Sequence, residues 1–536
     1  MGNWTFAGAW ETVAEALPDA PAQMQGDRTV SWRDFDGRAN ALGRELLDLG
    51  LQRESKVAVL LYNCPEWLEI CFGCFKVSMV PVNTNYRYGP AEIAYLYDNA
   101  DAEAVVFHAS FAKLLDELRD SLPKVKRWYV VPDGEPEPDW ATNYEAVVSG
   151  GADRTQGPWG RSGDDIHMLY TGGTTGMPKG VMYRQDDLFM ALGGGGNALL
   201  GVPPATDTDD LRSRLTAPGP RSLAACPLMH GTGQWGSFQS MNSGGCIVTL
   251  TNRRFDPAEL WRTVTDKQVN TIAIVGDAFA KPMLAELDRN PGAYDLSSVI
   301  LIGSSGVMWS QQTKQGLLRH HPNMILFDSL GSTEAVGMAG SQAGAGQAPE
   351  TARFTVGERA QVFTEDGVRV EPGSGEVGVL AVTGFIPVGY YKDPEKTERT
   401  FRTFDGQRWS VPGDFATVDA DGTIRLLGRG TVCINTGGEK VFPEEVEEVL
   451  KQHESVRDAV CVGVPDERFG EAIAAVVEPH EGAEVDADAV IEHVKARLAG
   501  YKAPRHVLVV STIGRSPAGK VDYKGLKELA VDRVRS

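Results

Sequence analysis

Residues 166–180 read Ile166-His-Met-Leu-Tyr-Thr-Gly-Gly-Thr-Thr-Gly-Met-Pro-Lys-Gly180, a strand-like apolar run followed by a loop dense in glycine and hydroxyl that closes on one lysine. Gly172, Gly173 and Gly176 let successive backbone N–H groups turn toward one anion, Thr171, Thr174 and Thr175 add O–H donors, and Lys179 adds charge. The pattern predicts a polyphosphate cradle at the end of a strand. It is not a Walker A loop, because Lys179 is followed by Gly180 where that loop needs Ser or Thr for magnesium. A flexible polar loop is the alternative reading of the same composition.

Around this segment, short β-branched runs alternate with helical patterns: KVAVLLY at 56–62, AEAVVFH at 102–108, NTIAIVG at 270–276, SVILIGSSG at 298–306 and NMILFDS at 323–329. That alternation predicts α/β layers with largely parallel strands and ligand-binding turns at strand ends. Beyond Gly428 the texture changes. An acidic helix is expected at 443–452, strands near 458–464 and 472–477, and a helix at 487–498, together a small α+β domain. The expected organisation is a large N-terminal α/β domain of layered sheets and helices, 1–428, and a small C-terminal domain, 429–536.

A formal net charge of -20 disfavours nonspecific binding to nucleic acid or an anionic membrane, so an anionic ligand must meet local positive charge. The apolar runs fall far short of the ~20 residues of a spanning helix, and MGNWTFAGAW has no secretory pattern. Seven scattered cysteines read as reduced thiols of a cytoplasmic protein. Cys71-x-x-Cys74 lies in an apolar helical stretch, 67–80, and reads as a core pair rather than a metal site. Gly193 to Ala198 spells G-x-G-x-x-A after a helical stretch rather than a strand, so a mobile or tightly packed loop is expected there.

Residues 170–180 resemble the phosphate-binding loop of the adenylate-forming superfamily of acyl-CoA synthetases, luciferases and peptide-synthetase adenylation domains, with Gly172 in place of a common Ser. The similarity continues in order from about Thr29 to Lys524. Phe327-Asp328-Ser329-Leu330-Gly-Ser-Thr333-Glu334 is similar to the element whose glutamate helps hold Mg²⁺ and whose threonine faces the α-phosphate, with Leu330 where a tyrosine usually stacks on adenine. A Ser-Thr-Glu triplet is also a common helix cap. Gly303-Ser304-Ser305-Gly306 resembles the family's turn beside adenine and the acyl group, although a plain connection reads equally well. Asp414 matches the ribose-binding aspartate, and an acceptor-only carboxylate suits a vicinal diol. Arg429 matches the nucleotide-binding arginine at the domain joint, with Thr431 at the hinge position. Gly437, Gly438 and Lys440 resemble the family's loop brought up for thioester formation, where a hairpin turn is the alternative reading. Pro227-Leu-Met-His230-Gly231 resembles the element beside the acid pocket, where one histidine on an apolar turn is also a structural residue. Lys520, in Arg515-Ser-Pro-Ala-Gly-Lys520, matches the catalytic lysine of adenylation.

The resemblance implies an AMP-forming acid–CoA ligase with ATP, Mg²⁺ and coenzyme A, catalysed by Lys520, Thr174 and Glu334, with Thr174 and Glu334 toward the metal. It implies a C-terminal domain that rotates about a hinge, and is compatible with a homodimer. The departures at 386–393, 428–435, 437–441 and 515–523 are similar to a bacterial branch acting on steroid side-chain acids and fatty acids, which implies a bulky apolar acid. Two other readings stand beside it: adenylation on behalf of a carrier protein, and a non-catalytic nucleotide-binding regulator. No acidic residue in 229–235 is placed to hold an amino group, which disfavours amino acids.

Overall fold

The computed structural model describes residues 3–171, 177–307, 309–344, 350–429, 434–436, 439–466, 470–498, 500–515 and 521–535. The chain divides into two compact units, Met1–Thr351 with Val382–Ser410, and Ala352–Ala381 with Val411–Ser536. Position 429 lies inside the second.

In the first unit the β-branched runs become parallel strands, as their continuous apolar character requires. A five-stranded sheet has the order Val80–Asn83, Lys56–Leu60, Ala102–His108, Arg127–Val131, Thr142–Asn143, parallel throughout. A second sheet carries Cys246–Thr249, Arg221–Ala224, Thr271–Ile274, Leu301–Ser305 and Ile325–Ser332 in parallel, then turns back through antiparallel Ala335–Ala343. The hairpin Ile166–Thr171 with Lys179–Arg184 is antiparallel, and Gly389–Tyr390 adds to its outer strand.

Two local expectations shift. The helix expected over 67–80 runs Pro65–Lys76. It stops because Ser78 adopts φ +54, which reverses the chain into the strand Val80–Asn83. Cys71 and Cys74 are buried in that helix and burial pushes both thiols up, so the pair is packing as expected. The sequence 303–305 is strand rather than turn, and the turn starts at Gly306 with φ +91.

The second unit holds an antiparallel set, Arg353–Val356, Thr423–Arg429, Asp414–Val418 and Val377–Thr383. It also holds a five-stranded sheet built on the long hairpin Val456–Asp466 with Gly470–Pro479. Both faces of that hairpin are buried, as period-two alternation allows. Cys461, Ile473, Ala475 and Val477 pack with Val446, Leu450, Val490 and Val494 of the helices Pro443–Leu450 and Ala487–Lys495. Val460, Val462, Ala474 and Val476 pack with Ala530 of the helix Tyr523–Arg535.

Rings of Phe6, Trp10, Phe72, Phe75 and Phe238 pack edge-on and stacked, and Lys76 of a charge cluster lies over the Phe72 ring. Lys76, 0% exposed, donates to Glu11 at 2.7 Å and Asp36 at 2.7 Å, and Arg161 grips Glu11 at 2.7 and 2.8 Å. Burial would raise the Glu11 carboxyl, but the Arg161 and Lys76 contacts outweigh it and hold it below its ordinary range. Removing one partner of such a cluster strands the others without compensation. Lys76→Met is expected to lose about 3–5 kcal/mol of stability in urea denaturation, and Lys76→Met with Glu11→Gln to recover part of it.

Candidate functional site

The expected phosphate loop is carried by the antiparallel hairpin of the first unit, where Thr171 pairs with Lys179 and Tyr170 with Gly180. Gly172, Gly173, Thr174, Thr175 and Gly176 lie outside the described residues. A Cβ at Gly180 would sit 2.7 Å from the Met168 sulfur and 2.8 Å from the Tyr170 ring, so a larger residue there forces one of these side chains to shift. Lys179 is half-buried and ion-paired with Asp393. The ammonium's hydrogen bond holds the Asp393 carboxyl below the usual carboxylate range.

One buried amide ties this hairpin to its surroundings. Asn83, at the end of the first parallel sheet, accepts from the Tyr170 N–H at 2.7 Å and donates to the carbonyls of Tyr170 at 2.9 Å and Met229 at 2.8 Å. Asn63 does similar work, donating to Cys226 O at 3.0 Å and accepting from Leu228 N–H at 2.8 Å. Together they fix the turn that precedes His230. His230 is the half-buried N-cap residue of the helix Gly231–Met241, and a Cβ on Gly231 would press on Trp235 at 3.3 Å and Leu169 at 3.4 Å. Neither asparagine stood out in the sequence, since a lone Asn near a strand end reads as turn chemistry.

In the parallel pair Leu301–Ser305 and Ile325–Ser332 the residues alternate as strand geometry demands. Ser304 and Asp328 point into the core, where Ser304 Oγ accepts from Gly276 N–H at 2.8 Å and Asp328 accepts from Lys314 at 3.1 Å. Ser305 and Ser329, paired in register, are half-buried, as are Gly303 and Leu330. A Cβ on Gly306 would face Thr232 and Val275, each at 3.8 Å.

Thr333 and Glu334 occupy the tight reversal between antiparallel strands, so the Ser-Thr-Glu triplet caps no helix. Tyr183 Oη donates to Thr333 O at 3.0 Å, and Ser410 Oγ to Glu334 O at 2.6 Å. Tyr390 Oη donates to Glu334 Oε1 at 2.7 Å. Among the described residues no Lys or Arg is ion-paired with Glu334, and its half-buried carboxylate offers the hard oxygen donors that a hard cation takes. That donor chemistry fits Mg²⁺.

In the second unit, Asp414 is buried and opens the strand Asp414–Val418, in register with Arg429. The Arg429 and Lys440 side chains, and Thr431, Gly437, Gly438 and Lys520, lie outside the described residues. The strands Ile434–Thr436 and Glu439–Val441 pair antiparallel on either side of 437–438. Asp458 grips Arg515 at 2.6 and 2.9 Å, and Glu478 accepts from Ile513 N–H at 2.8 Å, which fixes the chain just before 516–520.

The model of the AMP-binding enzyme family matches residues 10–391, and that of the AMP-binding enzyme C-terminal domain matches 445–520. The chain belongs to the AMP-binding enzyme family. Similar curated relatives include a 3-oxocholest-4-en-26-oate–CoA ligase of Rhodococcus rhodochrous, 41% identical and covering 97% of this chain and 94% of its own. A medium/long-chain-fatty-acid–CoA/3-oxocholest-4-en-26-oate–CoA ligase of Mycolicibacterium smegmatis is 38% identical over 98% and 96%. The fold matches the crystal structure of an anthranilate CoA ligase in complex with anthranoyl-AMP, with a TM-score of 0.83 and 20% identity over 100% and 98% of the two chains. This AMP-binding enzyme is thus a mixed α/β protein with a large N-terminal and a small C-terminal domain, an adenylate-forming enzyme by descent. Among the described residues no helix is long and apolar enough to cross a membrane.

Two outcomes follow from the geometry. Asn83→Ala breaks three buried hydrogen bonds and leaves two carbonyls and an N–H unsatisfied, so urea denaturation is expected to show a loss of about 2–4 kcal/mol. Burial pushes the Asp328 carboxyl up to about 6 from 3.8, with Lys314 opposing. Its contribution to stability is therefore fully present below the unfolded value and is lost as the pH rises through about 6. The stability difference between wild type and Asp328→Asn, measured from pH 3.5 to 7, is expected to change by up to about 3 kcal/mol across that window.

Proposed function

We propose that this protein is an AMP-forming acid–CoA ligase whose acid is bulky and apolar, of the fatty or steroid side-chain kind. The observation that carries the reading is its full-length similarity, spanning both domains, to ligases named for such acids. The acid-side element supports it: no carboxylate lies in 229–235 to recognise an amino group.

A carboxylate is a poor electrophile because oxide would have to leave. Attack of its oxygen on the α-phosphorus of ATP expels pyrophosphate and leaves an acyl adenylate; attack of the CoA sulfur on the acyl carbonyl then expels AMP and gives the thioester. Lys179 and the 171–176 loop hold the β- and γ-phosphates, and Thr333 faces the α-phosphate. Ser305, Ser329 and Leu330 line the nucleotide and acyl side, and Asp414 and Arg429 hold the ribose and nucleotide oxygens. Glu334, with Thr174, would hold magnesium, which would supply neutralisation of charge on the transferring phosphate. Lys520 bridges the acid oxygen and the α-phosphate in the first step.

Residues 429–536 rotate about the joint at Arg429 and Thr431 between the steps, so that the Gly437–Gly438 loop and Lys440 replace Lys520 beside the acyl group. The Asp458–Arg515 pair ties the chain just before 516–520 to the strand Val456–Asp466, which supports assigning Lys520 to the C-terminal domain.

Lys520→Ala tests the assignment. Pyrophosphate release is expected to fall by about 10²–10³, while thioester formation from supplied acyl adenylate survives; equal losses in both half-reactions would sink domain alternation. Acid-dependent pyrophosphate release across a panel tests the substrate. The highest kcat/KM is expected with long fatty or steroid side-chain acids, and a preference for amino or short acids would refute the reading.

A further inference from the structure

The segment Gly389–Asp393 touches both charged groups assigned to ATP. It runs as an added strand along the hairpin, Gly389 beside Met182 and Tyr390 beside Val181, with the Tyr391 N–H donating to Gly180 O at 2.8 Å. From the strand, Tyr390 donates its phenol to Glu334 Oε1 at 2.7 Å. The chain then reverses at Lys392, a non-glycine residue at φ +54. That left-handed conformation is costly and needs outside support. Asp101 gives it, accepting from Lys392 Nζ and from Tyr391 Oη, each at 2.7 Å. The reversal delivers Asp393, whose Oδ1 caps the helix Pro394–Thr400 through the Lys396 N–H at 3.0 Å and whose Oδ2 holds the Lys179 ammonium. Because one oxygen is fixed by the cap, the other has one direction in which to hold the lysine.

We propose that Gly389–Asp393 is a positioning segment of the ATP site, in which Tyr390 sets the metal-facing carboxylate of Glu334 and Asp393 sets the phosphate-facing ammonium of Lys179. The proposal rests on the reading of Glu334 and Lys179 given above. Tyr390 is an uncharged donor, so it orders the carboxylate without neutralising it. Asp393 orders an ammonium that keeps donors for phosphate, since Lys carries three. One rigid stretch thereby sets two groups of opposite charge on one triphosphate, and neither positioning residue touches the reacting atoms.

The test uses the full-length enzyme with Tyr390→Phe, which keeps the ring against Phe401, and Asp393→Asn, which keeps a helix cap but not the charge. ATP binding is measured by titration calorimetry with and without Mg²⁺, and the Mg²⁺ dependence of pyrophosphate release is measured alongside. Tyr390→Phe is expected to raise the Mg²⁺ concentration for half-maximal release about 3–10-fold while leaving Mg²⁺-free ATP affinity unchanged, and Asp393→Asn to weaken ATP binding about 3–10-fold with or without the metal. A wild-type Mg²⁺ requirement in Tyr390→Phe, or equal or tighter ATP binding in Asp393→Asn, overturns the proposal. So does an equal effect of both variants on both readouts, which would mean only general loosening. Thermal melting verifies folding, and Asp393→Ser, which also caps, replaces Asp393→Asn if that variant does not fold. Glu334→Gln and Lys179→Ala separate the two levels: if these leave the Mg²⁺ requirement and ATP affinity unchanged, the underlying reading fails; if they shift them and the positioning variants do not, only the proposal fails.

Discussion

The side-chain amide of Asn83 joins three segments that belong to three different parts of the first unit: the end of a parallel strand, the backbone of Tyr170 on the hairpin, and the carbonyl of Met229 before the helix Gly231–Met241. An amide suits the task because it donates and accepts on one rigid plane. A carboxylate could not donate, and an apolar side chain would leave the backbone groups buried without partners, which costs more than the bonds contribute when made. The phosphate-side hairpin and the acid-side turn are thus set against the same strand end, where ligand sites of parallel sheets form.

Charge is handled locally throughout. The chain carries a net charge of -20, yet among the described residues Lys179 is met by the Asp393 carboxylate and Glu334 by the Tyr390 phenol. Away from the site, charges removed from water are matched at short range, as in Lys76 with Glu11 and Asp36, and Lys314 with Asp328. The physical reason is that a buried charge which loses its partner is left uncompensated, so charges removed from water are met where they lie.

Much of the fold was legible because strands of a parallel sheet covered by other layers carry short β-branched, apolar runs. The runs at 56–62, 102–108, 270–276, 298–306 and 323–329 all became parallel strands. Boundaries were less legible. Gly303-Ser304-Ser305 has turn composition, but Ser304 is buried and bonded to Gly276, and register with Ala273 and Phe327 keeps the segment extended. The helix after Pro65 ends before its apolar pattern does, because Ser78 turns left-handed and Val80 is claimed by the neighbouring sheet.

The sequence by itself determined which chemical groups are present and how they are spaced locally: glycines and hydroxyls ahead of Lys179, a carboxylate at Glu334, and a lysine at 520 in a glycine-containing loop. Tertiary structure alone decided what each described group faces. Asn83 reaches Tyr170 across 87 positions and Met229 across 146, and Asp393 reaches Lys179 across 214. Such partners are chosen by sheet register and packing, which arise only when distant segments share one core, so no local pattern encodes them.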